Sequence, residues 1–422
     1  MPAIRVTVVP GDAEEEAGST AGAASVRTCI VGPGINQPDP FSGYTGMVGW
    51  SCPVRLRDGT MYVSFSAGYW HGSPPTPNRY AEEYLQTMIK AGMPTDVDAP
   101  MGGRAMISKS MDNGVTWSKP HTLIDTPYDD RHPSIRELSD GTLLCTFYTY
   151  PGDLTGSRDL DASKGLRVGF IHSFDRGRTW EQTVHRLPPV YLSESPGHNA
   201  PVAELTDGSV LQVVHGWYEP HRQGRSVIGV FRSTDRGARW EFLSEIGADH
   251  PLCEPEIALL RDGRLMVIAR DEGDVSWSAD GGRTWTPPAT FGFRMYAPAL
   301  CVMDDGTILC TFGSHAKPGG LRAIFSTDGG HTWIAPSNTN GFLVDRTYGY
   351  SQSCLMPGRT AYLTYLHSGG HKREDAENNR IWSVRVRVRD DRSGIDLLPV
   401  GGNAVGGDGT LLPSAGKPID DV

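Results

Sequence analysis

One eight-residue pattern, Ser-x-Asp-x-Gly-x-x-Trp, occurs five times and limits the possible folds more than any other feature of the chain. It stands at Ser110–Trp117, Ser173–Trp180, Ser233–Trp240, Ser278–Trp285 and Ser326–Trp333. Asp and Gly two positions apart make a tight turn: the carboxylate holds nearby backbone N–H groups and Gly accepts a positive φ. The Ser hydroxyl ties the turn to its strand, and the Trp folds back as an apolar plug. The motif is therefore a hairpin device, and its aspartates are structural.

A second repeat alternates with the first. Pro, a short apolar run, Asp-Gly and another apolar run recur from Pro53, Pro133, Pro201, Pro255 and Pro298, with a degenerate copy from Ser353. Asp-Gly between apolar runs signals a hairpin. Each unit then reads strand, Asp-Gly turn, strand, variable loop, strand, box turn, strand. That is a four-stranded antiparallel blade, and six copies close into an all-β six-bladed propeller. The sixth blade has no box, and Arg380–Arg389 (RIWSVRVRVR) supplies its third strand. An N-terminal strand, Ile4–Val9 or Ser25–Val31, closes the ring. The propeller is expected over residues 1–399, and 400–422 as a flexible C-terminal tail.

Composition excludes several function classes. The net charge of −10 over 422 residues argues against nucleic acid or an anionic membrane as partner. No apolar run is long enough to span a bilayer. The N-terminus has no basic segment leading into an apolar one, so a cytoplasmic location is expected. Seven cysteines with no Cys-x-x-Cys spacing read as buried free thiols. The rim histidines lack His-x-x-x-His spacing, so neither metal nor cofactor is expected. The sequence does not specify an oligomeric state.

Strand direction sorts the remaining residues. Asp-Gly turns and box turns share one face. The opposite face gathers the starts of first strands, the ends of second strands and every loop of variable length, and such loops carry binding. The longest, from about Ser66 to Arg104, contains a predicted helix in YAEEYLQTMIKAG with Gly92 as its C-cap. Residues preceding the first-strand prolines line the mouth: Ser51-Cys52, Arg131-His132, Cys253-Glu254 and Tyr296-Ala297. Trp70-His71, Tyr148–Tyr150, His215–Trp217, Arg270 and Ser314-His315 end second strands there. Aromatics mixed with Arg, Glu and His suit a polar ring with apolar faces, such as a sugar.

Over nearly its whole length the chain resembles the sialidase (neuraminidase) superfamily. The five boxes carry the likeness of fold. In CEPEIALLRDGRLMVIARD, Glu254 lies eight residues before Asp262 and Arg270 eight after it, as in that family. In YGYSQSCLMPG, Tyr350 precedes Pro357 by seven residues, matching the family's late Tyr strand. The resemblance implies Tyr350 as nucleophile, Glu254 as its general base and Arg270 as a carboxylate-binding arginine. Tyr348, two residues earlier, competes for the Tyr role. Arg322 and Arg294 are positional candidates for a further arginine. The general-acid Asp belongs in the first blade's long loop, where Asp96 and Asp98 stand, and Asp98 is taken as the candidate. His132 and Trp70 complete the substrate-contacting set. One departure is plain: the family's first-strand Arg-Ile-Pro is replaced by Ser51-Cys52-Pro53, and Arg131 is the substitute arginine. The implied activity is retaining exo-glycosidase cleavage of a terminal acidic sugar, of the exo-α-sialidase type. The alternatives are another carbohydrate-active propeller (an exo-arabinanase-like hydrolase or a uronate lyase) and a non-catalytic glycan-binding propeller.

Overall fold

The structure is a computed structural model. It describes residues 2–9, 26–77, 82–90, 92, 94–150, 166–197, 201–219, 224–316, 319–336, 341–346, 349–367, 379–400 and 418–419. Most of the region expected to be a tail therefore lies outside the described residues.

Six mainly antiparallel sheets form the six blades of a propeller. Blade 1 runs from its inner strand Met47–Arg55 through Met61–Gly68 and Arg104–Ser110 to His121–Ile124. Blade 2 uses Asp129–Glu137, Leu143–Tyr150, Arg167–Ser173 and His185–Arg186. The inner strand of blade 3 is split into Ser193–Ser195 and Ala203–Glu204, followed by Val210–Trp217, Val227–Ser233 and Glu241–Ile246. Blade 4 uses Cys253–Leu259, Leu265–Arg270, Asp274–Ser278 and Ala289–Thr290. Blade 5 uses Tyr296–Val302, Ile308–Ser314, Gly320–Ser326 and Thr332–Pro336, and blade 6 uses Ser351–Met356, Thr360–His367 and Arg380–Val388.

The N-terminal segment Thr28–Val31 closes the ring as the outer strand of blade 6, antiparallel to Arg380–Val388. The other expected closing segment, Arg5–Val9, instead lies parallel to Thr332–Pro336 on the edge of blade 5. Thr28–Val31 is buried throughout, whereas Arg5–Val9 is largely exposed. The more apolar segment thus takes the position that seals a blade interface.

Period-two alternation supplies the core. In Leu143–Tyr150 of blade 2, Leu143, Cys145 and Phe147 pack toward blade 1, and Leu144 packs toward blade 3. Six such apolar clusters exist, one between each pair of neighbouring blades. Each fully buried Val, Leu or Phe in them contributes about 1.5–3 kcal/mol.

The boxes form as the residues require. In the first, Ser110 Oγ donates to Asp112 Oδ1 at 2.8 Å and accepts the Gly114 N–H at 2.9 Å, while Trp117 Nε1 donates to the Gly114 carbonyl at 3.1 Å. Box turns and Asp-Gly turns share a face, because neighbours touch. Arg176 of the second box pairs with Asp58 of blade 1 (2.7 Å), and Arg236 of the third pairs with Asp140 of blade 2 (2.8 Å).

The pairing register corrects one sequence alignment. Asp58, Asp140, Asp262 and Asp305 open equivalent turns, and the residues eight positions earlier are Trp50, His132, Glu254 and Ala297. All four have positive φ (51°, 50°, 41° and 47°). Each lies in a bulge where three steps on the inner strand meet two on its partner: Gly49/Cys52, Arg131/Ser134, Cys253/Glu256 and Tyr296/Ala299. Ser51, not Pro53, is therefore the counterpart of Pro133 and Pro255. The missing first-strand Arg belongs at Gly49, where an added Cβ would meet Leu366 at 3.0 Å.

In the long blade 1 loop the expected helix forms over Glu82–Lys90, and Gly92, at φ 74°, caps it by donating N–H to the Ile89 carbonyl at 2.9 Å. Met88 of this helix is buried with Tyr69, Val97 and Ala99.

Candidate functional site at the propeller mouth

The four bulges set the site. An extra residue at the mouth end of an inner strand turns that residue's side chain out of the strand's alternation. In blade 4 the residue is Glu254, and the next ladder pair is Cys253 with Arg270. Glu254 and Arg270 are thus held side by side, with Arg270 Nη1 donating to Glu254 Oε1 at 2.7 Å. The same Nη1 donates to Tyr350 Oη at 3.2 Å. Tyr350 comes from the opposite end of the repeat series, just before the inner strand of blade 6, and packs against Trp50 and Met47 of blade 1. Blades 1, 4 and 6 therefore meet at one point.

The electrostatics of this group are one-sided. Burial acts to lower the Arg270 pKa, but the negative charge of Glu254 and the Tyr350 oxygen outweigh it and raise it. The second carboxylate oxygen, Glu254 Oε2, is buried and has no hydrogen-bond partner among the described residues. A buried acceptor without a donor is costly.

The backbone around Glu254 is fixed by close packing. Its N–H donates to His215 Nδ1 at 3.3 Å. Gly197, at φ 78°, lies so near that a Cβ there would sit 2.9 Å from Glu254 Cα and 3.0 Å from its carbonyl carbon. The Gly197 carbonyl in turn accepts His132 Nδ1–H at 3.1 Å.

A second group lies on the blade 1 and blade 2 side. The Arg131 guanidinium stacks over the Trp50 ring at 4.5 Å, and its Nη1 is 3.8 Å from Asp129 Oδ2. His132 stacks on the same indole (5.1 Å, 26°), and His71 meets its edge at 5.0 Å. Trp70 meets His71 edge-on at 5.7 Å. Arg131 is 5% exposed, and the nearby Tyr148, Asp129, Tyr150 and Tyr350 raise its pKa against the lowering effect of burial.

The third side is cationic. The Arg270 guanidinium lies 4.8 Å from the Tyr296 ring centre, and Arg294 donates to Tyr296 Oη at 3.3 Å. Tyr296 also meets His315 edge-on at 4.2 Å. Burial, with Arg270 and Arg294 adding to it, lowers the His315 pKa.

The sequence-derived candidates fall into three sets. Glu254 and Tyr350 each contact Arg270, and Arg131, His132 and Trp70 line the aromatic side, with Arg294 on the cationic rim. Arg322 is 1% exposed inside blade 5 and gives Nη1 to the Gly341 carbonyl at 2.8 Å. Asp98 is exposed, flanked by buried Val97 and Ala99, with its carbonyl oxygen accepting the Ser42 hydroxyl. Tyr348 lies outside the described residues. Sequence reasoning missed Trp50 and Gly197; it placed His215 at the mouth, where the structure adds its contact with the Glu254 N–H. Counting back eight residues from each Asp-Gly would have found Trp50 as the counterpart of Glu254.

Comparison with known proteins bears on the fold. Residues 147–356 match the BNR repeat-like domain. The curated sialidase of Micromonospora viridifaciens is 22% identical over 319 residues, covering 69% of this chain and 42% of that protein, so the chain spans less than half of its relative's length. Among solved structures, a Dyadobacter fermentans protein of unknown function matches with a TM-score of 0.62 at 18% identity, over 86% of this chain and 98% of that one. A Hadza microbial sialidase matches at 0.59 and 16%, over 83% and 69%. An α-L-arabinofuranosidase of Fusarium graminearum, in complex with arabinobiose, matches at 0.55 and 14%, over 86% and 97%. At these identities the structural likeness establishes the fold.

Proposed function

We propose that this chain, a BNR-repeat propeller and a distant homologue of sialidases, is a retaining exo-glycosidase that removes a terminal acidic sugar. The observation that carries the reading is the contact group of Glu254, Arg270 and Tyr350, with Glu254 Oε2 buried and unpartnered among the described residues.

A phenol is a weak nucleophile at neutral pH. In the proposed step, Tyr350 Oη attacks the anomeric carbon while Glu254 takes its proton. Arg270, already donating to that oxygen, stabilises the negative charge that develops there before the bond forms. The glycosidic bond breaks as a general acid protonates the leaving oxygen; Asp98 is the candidate for that task. Water then attacks the anomeric carbon of the tyrosyl adduct, giving its proton to the Asp98 carboxylate, while Glu254 returns its proton to the departing Tyr350 oxygen. Tyr-nucleophile sialidases are a recognised exception to the two-carboxylate rule. Arg270 and Arg294, on either side of Tyr296, are proposed to face the substrate's acidic group.

A second reading, a hydrolase for a neutral terminal sugar, is favoured by one observation. Gly49 and Trp50 occupy the first-strand position of the family's carboxylate-gripping arginine, and Arg131 is committed to the Trp50 face and to Asp129. A panel of chromogenic sialosides, uronides and arabinosides separates the two. Release from sialosides or uronides that Arg294→Ala weakens supports the first reading; turnover confined to arabinosides supports the second. No release from any member overturns both and leaves a binding propeller.

A further inference from the structure

A polar cluster on blade 2 lies apart from the mouth and has no part in the proposed chemistry. His172 is the penultimate residue of the third strand of blade 2, one before the Ser173 that opens the second box. Glu181 directly follows the box's Trp180, and its N–H donates to the His172 carbonyl at 2.9 Å. His185 lies on the outer strand opposite Phe170, so it is the diagonal neighbour of His172 on one side of the sheet. His172 Nδ1 is 2.6 Å from Glu181 Oε2, and His185 Nε2 is 3.2 Å from the same oxygen. The three ligand-type atoms all lie within 4.8 Å of one another.

Proton placement makes the cluster informative. His172 Nε2 is 2.8 Å from the Arg236 carbonyl oxygen, which only accepts, so Nε2 carries a proton. Glu181 Oε2 also accepts the His172 backbone N–H at 3.2 Å. A neutral His172 would then aim a bare nitrogen lone pair at a carboxylate lone pair across 2.6 Å. That contact requires a positive centre between the two atoms, either a second proton or a metal ion.

We propose that the cluster is a binding site for a divalent transition cation of zinc type, held by His172 Nδ1, His185 Nε2 and Glu181 Oε2. Two imidazoles and a carboxylate form a ligand set that zinc favours, with a fourth position left for water. The Nε2–H of His172 on a backbone carbonyl is the outer contact that fixes the tautomer of a metal-binding histidine. The His172 side chain is 3% exposed and supplies a rigid wall, while Glu181 and His185, at 30% and 22%, leave the site open to solvent. Tetrahedral zinc with bonds of about 2.1 Å needs ligand atoms about 3.4 Å apart. The His172–Glu181 contact, at 2.6 Å, must open by about 0.8 Å to reach that spacing, which the three torsions of a part-exposed Glu allow. The entering ion displaces any proton shared between Nδ1 and Oε2, which passes to solvent. Because Arg236 belongs to the third box, the ion would tie the outer strands of blade 2 to blade 3.

The test is calorimetric titration of the full chain with zinc chloride, beside Glu181→Gln and His185→Ala, two part-exposed positions whose replacement spares the buried His172. Cobalt substitution reports the ligand geometry through its visible absorption. The expected result is saturable 1:1 binding that either variant weakens roughly tenfold or more, a melting temperature raised by zinc in the parent only, and a tetrahedral cobalt spectrum. Turnover on any substrate should be unchanged in both variants, because the site lies on the box face. No saturable binding, or binding that neither variant alters, overturns the proposal and leaves His172 and Glu181 as a hydrogen-bonded pair. If His185→Ala fails to fold, Glu181→Gln alone decides.

Discussion

Replacing Gly197 with Ala isolates the contact that positions Glu254. Gly197 has φ 78°, where an alanine costs about 1–2 kcal/mol. The added Cβ would also meet the Glu254 Cα at 2.9 Å, its carbonyl carbon at 3.0 Å and Pro255 N at 3.1 Å. All three are backbone atoms. Glu254 already holds φ 41° and is followed by a proline, so the segment has little freedom to yield. Overpacking of this kind adds about 1–3 kcal/mol, giving a total of about 2–5 kcal/mol. Gly208 supplies the control: it has φ 79°, and nothing lies within 4 Å of its Cβ position. Urea unfolding of Gly208→Ala should show only the backbone penalty, whereas Gly197→Ala should lose markedly more. Gly197→Ala should also lose turnover on the best substrate of the panel by roughly a hundredfold, since misplacing a catalytic group by about 1 Å costs that much. Equal stability losses in the two variants, with full turnover in Gly197→Ala, would refute the claim that this close approach sets Glu254.

Stability should have an acid optimum. Burial raises Asp130 and Glu194 to about 7 from 3.8 and 4.5, so the folded chain holds their protons over a range where the unfolded chain has lost them, and stability falls as pH rises from about 4 to about 7. Hydrogen bonds from Thr179 and Thr284 lower box residues Asp175 and Asp280 from 3.8 to about 2, so their contribution is lost as pH falls from about 4 to about 2. Thermal scans from pH 2 to 8 should peak near pH 4–5, and Asp130→Asn should flatten the alkaline side; a maximum above pH 7 would contradict this. Deleting residues 1–31 removes buried Ile30 and Val31 from the seal of blade 6 and should cost at least about 3–6 kcal/mol, whereas deleting residues 1–9 should cost far less. Urea midpoints of the two truncations check the order.

The blades were legible in the sequence because turn chemistry is local: Ser, Asp, Gly and Trp at fixed offsets make the same hydrogen bonds wherever they occur. What depended on register was not legible. The proline at 53 imitates the repeat, but it sits two residues beyond the position of Pro133 and Pro255, and only the bulges show it. Arg322 was a reasonable positional choice, yet it shares strand parity with Ile324 and therefore lies inside the sheet stack. Asp98 alternates with Val97 and Ala99, which pack inward, so its own side chain is exposed. His172 and His185 have no metal-motif spacing; the box turn brings them together. Which of two N-terminal segments closes the ring depends on pairing across the whole chain, and their burial distinguishes them only after folding.

The most direct measurement is the turnover of Tyr350→Phe on the best panel substrate, with binding of that substrate followed separately. The substitution removes the phenol oxygen that lies 3.2 Å from Arg270 Nη1 and leaves the ring against Trp50 and Met47. A tyrosine nucleophile requires that kcat fall roughly a thousandfold or more while binding and the melting temperature stay close to those of the parent. Near-parental turnover in Tyr350→Phe would contradict it.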